Sequence, residues 1–304
     1  MFIYTIVNVG SEKLLKEEIS IKYPHLKFAY SRPGYITFKD TTEKFTVDTV
    51  LDLIFARSYG LSLGKFSKEE LVNEIKKYKD VIVHRFSYIT NEYSGQKAII
   101  NKDILDIMEI KEGEYWLGLK KARFFSWFYP FANPHVEQPK ESPSRAYLQM
   151  VEAFIWSNYK PEEDEVALEL GSAPGGASFA MVQRGIRVTG VDNAEMSETL
   201  LNHPLFTHIK EPMQKVRDEH IPRPCHLLVS DVNVMPSLNL AQVKRFMALR
   251  PGIKNVFYTL KIGSKITVSE ILEHAKTFKR FGFREVGITQ LPSNKSEILF
   301  YGKK

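Results

Sequence analysis

Cysteine is almost absent: Cys225 is the only one, so the chain forms no internal disulfide and has no cysteine-cluster zinc or iron–sulfur site. The eight histidines show neither HxxxH nor HxH spacing, and no structural metal is expected. No apolar run approaches the ~20 residues of a membrane helix. The opening MFIYTIVNVGSEKLL has no basic leader, long apolar core or small-residue cleavage site, so a cytoplasmic protein without membrane attachment is expected. Charge of one sign is scarce too. The net charge is +6, and Lys plus Arg outnumber Asp plus Glu by 21 to 18 in residues 1–140 and by the same margin in 141–304. A surplus this mild and evenly shared permits a polyanionic partner without demonstrating one.

What remains is globular: 43% hydrophobic and 26% charged residues over 304 positions, enough for two domains with separate cores. The break falls at YPFANPHVEQPKESPS, where Pro130, Pro134, Pro139 and Pro143 interrupt any ladder. Residues 129–143 read as a linker between an N-terminal region, 1–128, and a C-terminal domain, 144–304. In the first region a strand over 2–9, a helix from Glu12, strands at 26–30 and 35–38, a helix over 43–55 and a strand over 57–63 give a βαββαβ order, that of a ferredoxin-like α+β unit. Residues 81–88 alternate as a strand and 102–109 carry a helical pattern. Residues 115–128 interleave aromatics with Lys120, Lys121 and Arg123, a combination that can stack on bases and hold phosphates.

Beyond the linker, strand-like runs at 166–170, 186–191, 206–209, 226–231, 255–261, 284–291 and 296–302 alternate with helical patterns at 144–157, 175–184, 195–203, 214–219, 240–249 and 268–281. Such alternation predicts a doubly wound α/β sheet. The segment VALELGSAPGGASFAMVQRGIRVTGVDNA carries the chemistry. An apolar strand ends at Gly171, a glycine turn leads into a helix near Gly175, and Asp192 closes the next strand 21 residues after Gly171. An acidic residue there accepts hydrogen bonds from both hydroxyls of a ribose. The turn, Gly171-Ser172-Ala173-Pro174-Gly175-Gly176, is not G-x-G-x-x-G, and Pro174 removes an amide that a diphosphate would use. No P-loop is present. A cofactor with ribose and adenine but no phosphate fits better, which points to S-adenosylmethionine.

LELGSAPGGASF resembles the first motif of FtsJ-type ribose 2′-O-methyltransferases, DLGAxPGGW, and SPSRAYLQMVEAF, RPGYITF and LDLIFARSYG extend the likeness into both halves. Within that family it is most similar to the RlmM type, which methylates a cytidine ribose in large-subunit ribosomal RNA. The resemblance implies a Rossmann-like S-adenosylmethionine-dependent domain, a THUMP-like RNA-positioning region in front of it, and RNA, as rRNA or a ribosomal precursor, as partner. It also implies a Lys-Asp-Lys-Glu catalytic set, three members of which map onto Asp231, Lys261 and Glu297, all at strand ends. The first lysine is replaced by Gln149, which keeps two N–H donors and loses the charge. Lys295 and Arg145 are the candidate substitutes. Ser172 and Ala173 are expected to offer backbone groups to the methionine end of the cofactor and Asn193 to flank its ribose, Glu211 is the carboxylate available near the adenine, and Lys120, Lys121, Arg123, Arg145 and Lys295 are the expected RNA contacts. A non-catalytic RNA-binding relative that retains the cofactor fold is the alternative reading, because of Gln149.

Overall fold

The computed structural model describes residues 1–263 and 266–304. The chain divides into two compact units, Met1–His135 and Val136–Lys304.

The N-terminal unit is built on an eight-stranded sheet in the order β2-β3-β1-β4-β8-β7-β5-β6. Its elements are β1 (Phe2–Val7), α1 (Glu12–Lys22), β2 (Leu26–Arg32), β3 (Tyr35–Asp40), β4 (Ala56–Ser67), α2 (Lys68–Ile75), β5 (Ile82–Ser87), β6 (Glu92–Gly95), β7 (Asp103–Lys111) and β8 (Glu114–Lys121). The first four strands keep the ferredoxin-like order, each antiparallel to its neighbour. The expected helix over 43–55 does not form. Asp40 accepts the backbone N–H groups of Thr42, Lys44 and Phe45, and buried Glu18 accepts those of Ile54 and Phe55. These carboxylates supply the partners that a helix would have drawn from its own carbonyls, while Phe45, Leu51 and Ile54 fill the core as an irregular plug. The expected helix over 102–109 is a strand instead. β7 lies between β5 and β8 with five consecutive residues buried, and a strand covered on both faces loses the alternation that would have marked it.

The C-terminal unit is a seven-stranded sheet, β11-β10-β9-β12-β13-β15-β14. Its strands are β9 (Val166–Leu170), β10 (Arg187–Val191), β11 (Phe206–Ile209), β12 (Leu227–Ser230), β13 (Asn255–Lys261), β14 (Glu285–Thr289) and β15 (Glu297–Lys303). Its helices are α3 (Ala146–Ser157), α4 (Gly176–Val182), α5 (Glu198–Leu201), α6 (Pro236–Leu249) and α7 (Val268–Lys279). β9 to β13 run parallel, and β15 enters in reverse between β13 and β14. The helix expected over 195–203 shrinks to the single turn of α5, and that over 214–219 is replaced by a short 3-10 turn at Asp218–His220. A core of Phe154, Ala167, Phe179, Met181, Leu227 and Phe257 lies between sheet and helices. Among the described residues no helix is long and apolar enough to cross a membrane.

Candidate active site

Parallel strands place their C-terminal ends in a row about 4.8 Å apart, and the chemistry-bearing residues of this unit fall along that row. Asp192 follows β10, Gly171 follows β9, Asp231 follows β12 and Lys261 ends β13. Glu297 opens the reversed strand β15 and is the direct cross-strand partner of Lys261. A reversed strand thus brings its first residue to the edge where the others bring their last.

The Lys261 Nζ lies 2.6 Å from Asp231 Oδ1 and 3.7 Å from Glu297 Oε1. All three side chains are partly exposed, as groups that must meet a substrate have to be. The Glu297 carboxylate is also fixed by the backbone N–H groups of Lys295 and Ser296. Gln149 projects from α3 into a small cleft of about 30 Å³ that Asp231, Thr259 and Asn294 also line. The expected first member of the set therefore stands at the same cleft as the second. Lys295 meets Glu297 through its backbone and is exposed, and Arg145 lies half-buried at the start of α3.

The glycine turn is shaped for close approach. Gly171 has φ +79°, and a Cβ there would come within 2.5 Å of the Asp231 carbonyl oxygen. Gly175, at φ +116°, opens α4, and a Cβ on Gly176 would strike Ser144 ahead of α3. Asp192 accepts the Ala173 and Ala194 N–H groups at 3.0 and 2.9 Å, one on each carboxylate oxygen. Each oxygen keeps a lone pair for a further donor. The Ser172 hydroxyl is buried without a hydrogen-bond partner inside this turn. An orphaned hydroxyl, a carboxylate with spare acceptor capacity and a glycine cradle suit a ribose-bearing ligand. Asn193 is exposed beside Asp192, and Pro174 is exposed in the turn. Half-buried Glu211 lies past β11, its N–H bonded to the Ile209 carbonyl.

Two residues escaped the sequence reading. Glu169, in β9, is buried and accepts a hydrogen bond from Ser178; burial pushes its carboxyl up to about 8, aided by the nearby Asp231 and Asp192 charges and opposed by that hydrogen bond. Glu152 of α3 accepts the Ser293 N–H and hydroxyl at 2.9 and 2.7 Å, tying the turn before Glu297 to the helix that carries Gln149. Its spacing of three from Gln149, one helical face, was the available signal.

One expected contact is corrected. Lys120 is only 1% exposed and is paired with fully buried Asp106 at 2.5 Å, so it cannot meet RNA. Lys121 and Arg123 are both engaged by Asp48. Among the described residues no group of three or more His, Cys, Asp or Glu is arranged to hold a metal ion.

Fold and site together define a Rossmann-like α/β unit with a glycine-lined turn and a cluster of charged side chains along one sheet edge. The chain is similar to curated proteins named ribosomal RNA large subunit methyltransferase M: 29% identical over 206 residues to that of Pseudomonas fluorescens, covering 63% of this chain and 56% of the relative. To that of Ectopseudomonas mendocina it is 32% identical over 150 residues, 46% of this chain and 41% of the relative. The chain thus spans about half the length of the curated relatives it matches. No family model matches it. Among solved structures, the Burkholderia thailandensis 1,6-didemethyltoxoflavin-N1-methyltransferase with bound S-adenosylhomocysteine aligns at 16% identity and TM-score 0.39, over 54% of this chain and 79% of that one.

Proposed function

We propose that this protein is an S-adenosylmethionine-dependent RNA methyltransferase, and more narrowly that it methylates a ribose 2′-hydroxyl in large-subunit ribosomal RNA, in the cytoplasm. The observation that carries the reading is the Asp231–Lys261–Glu297 cluster at the sheet edge that also holds Gly171 and Asp192. The names of the curated relatives support the RNA methyltransferase part. Asp192 would take the ribose hydroxyls of the cofactor, and Gly171 to Gly176 would admit it to the backbone. When bound, the cofactor supplies a sulfonium methyl whose leaving thioether is neutral and needs no acid.

The protein's own task is then to align the attacking oxygen and accept its proton. Lys261 holds the hydroxyl oxygen by donating to it from its ammonium, whose direction Asp231 and Glu297 fix, and the released proton goes to the Asp231 carboxylate and from there to water. Gln149 offers N–H donors across the cleft in place of a positive charge. The N-terminal unit serves to position RNA.

The test is incubation of RNA lacking its native modifications with methyl-labelled cofactor, followed by mapping of ribose methylation. Lys261→Ala is expected to lower the rate by at least about 100-fold, and Gln149→Lys to retain or raise it. If the wild-type chain binds cofactor yet methylates no RNA, the reading fails in favour of a non-catalytic RNA-binding relative, the alternative that Gln149 keeps open.

A further inference from the structure

The eight-stranded sheet curls until strands far apart in its order meet. β2 stands at one edge and β7 is the sixth strand, yet Arg32 of β2 donates from Nη1 to the Ile110 carbonyl of β7 at 3.4 Å. The same guanidinium lies over the ring of Tyr88, just past β5, at 3.8 Å. The hollow so formed is packed with Tyr4, Tyr35, Phe86 and Phe131. Its rim is different: Arg32, Arg57 and Tyr88 are half-buried, and His135 is exposed with its ring 4.3 Å from that of Tyr93. Arg57 reaches the rim through a β-bulge. β1 pairs Ile6 with Ser58 and Val7 with Ala56, so the ladder skips Arg57, and a bulged residue is re-aimed relative to its neighbours. Its charge is felt at both other members. Burial raises the Tyr88 hydroxyl against the pull of Arg32 and Arg57, and burial lowers His135 with the Arg57 charge adding to the shift.

The two arginines lack what a structural arginine has. Arg32 and Arg57 each carry a buried Nε with no hydrogen-bond partner, and among the described residues neither is ion-paired with a carboxylate. The carboxylates of the neighbouring elements are committed elsewhere. Glu12 accepts the Gly10 and Gly34 N–H groups at 2.8 Å each, Glu109 accepts the Ser87 and Tyr115 hydroxyls, and Asp106 holds the Tyr4 hydroxyl and the Lys120 ammonium. A buried N–H left unpaired is costly, and two guanidiniums set against one ring without a counter-charge repel each other. An anion with several acceptor oxygens relieves both. Guanidinium grips such an anion through parallel N–H donors, and phosphate is the group it suits. The Tyr88 hydroxyl and the His135 ring supply further donors from the other side of the rim.

We infer, resting on the RNA reading above, that Arg32, Arg57, Tyr88 and His135 form a binding site for one phosphodiester of an RNA strand. The two guanidiniums take its non-bridging oxygens, and their orphaned Nε donors gain partners. Two arginines on the rim thus replace sealed Lys120 as the phosphate contacts of the N-terminal unit. A grip on a single phosphate fixes the register of a strand without reading its bases.

The experiment is a titration of the full chain with a fluorescein-labelled oligouridylate of about a dozen nucleotides, read by anisotropy at several salt concentrations. Arg57→Gln is expected to weaken binding about tenfold. Arg32→Gln combined with Arg57→Gln should lower the slope of log affinity against log salt by about 0.7, the share of one phosphate on a single strand. With uncharged methylphosphonate linkages in the oligouridylate, wild type and double variant should bind alike. Lys276→Ala with Lys279→Ala, on exposed positions of α7, should change none of these. Arg57→Lys serves if a glutamine variant fails to fold: weaker binding at an unchanged slope supports the paired-donor grip, and wild-type affinity overturns it. Unchanged affinity in the double variant, or an equal loss in the α7 variant, overturns the site. So does competition by polyglutamate as effective as that by unlabelled oligouridylate, which assigns the cations to an acidic protein. Inorganic phosphate that raises the melting temperature of wild type but not of the double variant, while both bind oligouridylate equally, assigns the site to free phosphate and overturns the RNA strand. Oligouridylate binding is independent of methyl transfer: a chain that methylates RNA but ignores both arginine changes sinks this site alone, and one that needs the arginines yet methylates nothing sinks the enzymatic reading alone.

Discussion

At the scale of single residues, position along a strand decides chemistry. Lys261 and Glu297 are 36 residues apart in sequence and face each other only because β15 runs backwards beside β13. Glu169 is a residue of the opposite kind, a carboxyl withdrawn from water next to two others. Burial raises it from 4.5 to about 8, so it is protonated at neutral pH. A carboxyl whose folded value lies above its unfolded value stabilises the fold fully below about pH 4.5, and that contribution is lost as pH rises towards about 8. Glu169→Gln is therefore expected to flatten the fall in melting temperature between about pH 5 and pH 8, a difference of up to a few kcal/mol. Parallel profiles for the two proteins would refute the assignment. The glycine turn and Asp192 at the end of β10 were legible in the sequence, since glycines and an acidic strand end announce themselves. The state of Glu169 was not, because β9 reads as apolar with one polar member and nothing local tells whether that member is hydrated.

At the scale of elements, the failures have one cause. Residues 43–55 read as a helix by spacing, yet Asp40 and Glu18, from distant elements, satisfy their backbone instead. β7 read as a helix because a strand buried on both faces shows no period of two. The same double burial explains Lys120. From its aromatic-rich surroundings it looked like a phosphate contact, but it points into the sheet's covered half, where Asp106 also receives the Tyr4 hydroxyl at 2.5 Å. Burial pulls the Lys120 ammonium down while Asp106 opposes the shift. Lys120→Ala should cost about 3 to 5 kcal/mol, because it leaves a buried carboxylate uncompensated. Denaturant unfolding measures that loss. The affinity of the folded fraction for oligouridylate should stay at the wild-type value, and a specific fall in affinity would return Lys120 to the RNA surface.

At the scale of the whole molecule, every residue assigned to the cofactor lies in Val136–Lys304, which carries its own complete sheet and core. That unit produced alone is expected to bind S-adenosylmethionine within about threefold of the full chain by calorimetry, since a domain with its own core folds independently. Cofactor binding that disappears with residues 1–135 would show that the cofactor site is not contained in one unit.

The sequence by itself determined the glycine turn after β9 and the alternation of strands and helices around it, because each is written in neighbouring residues: glycine freedom and hydrophobic period. Only the tertiary structure decided which charged groups converge and which are sealed away. Convergence of Asp231, Lys261, Glu297 and Gln149 depends on strand order and on one reversed strand, and exposure depends on what packs above a face. Both are relations between residues distant in the chain, and a local pattern carries no information about a neighbour it has not yet met.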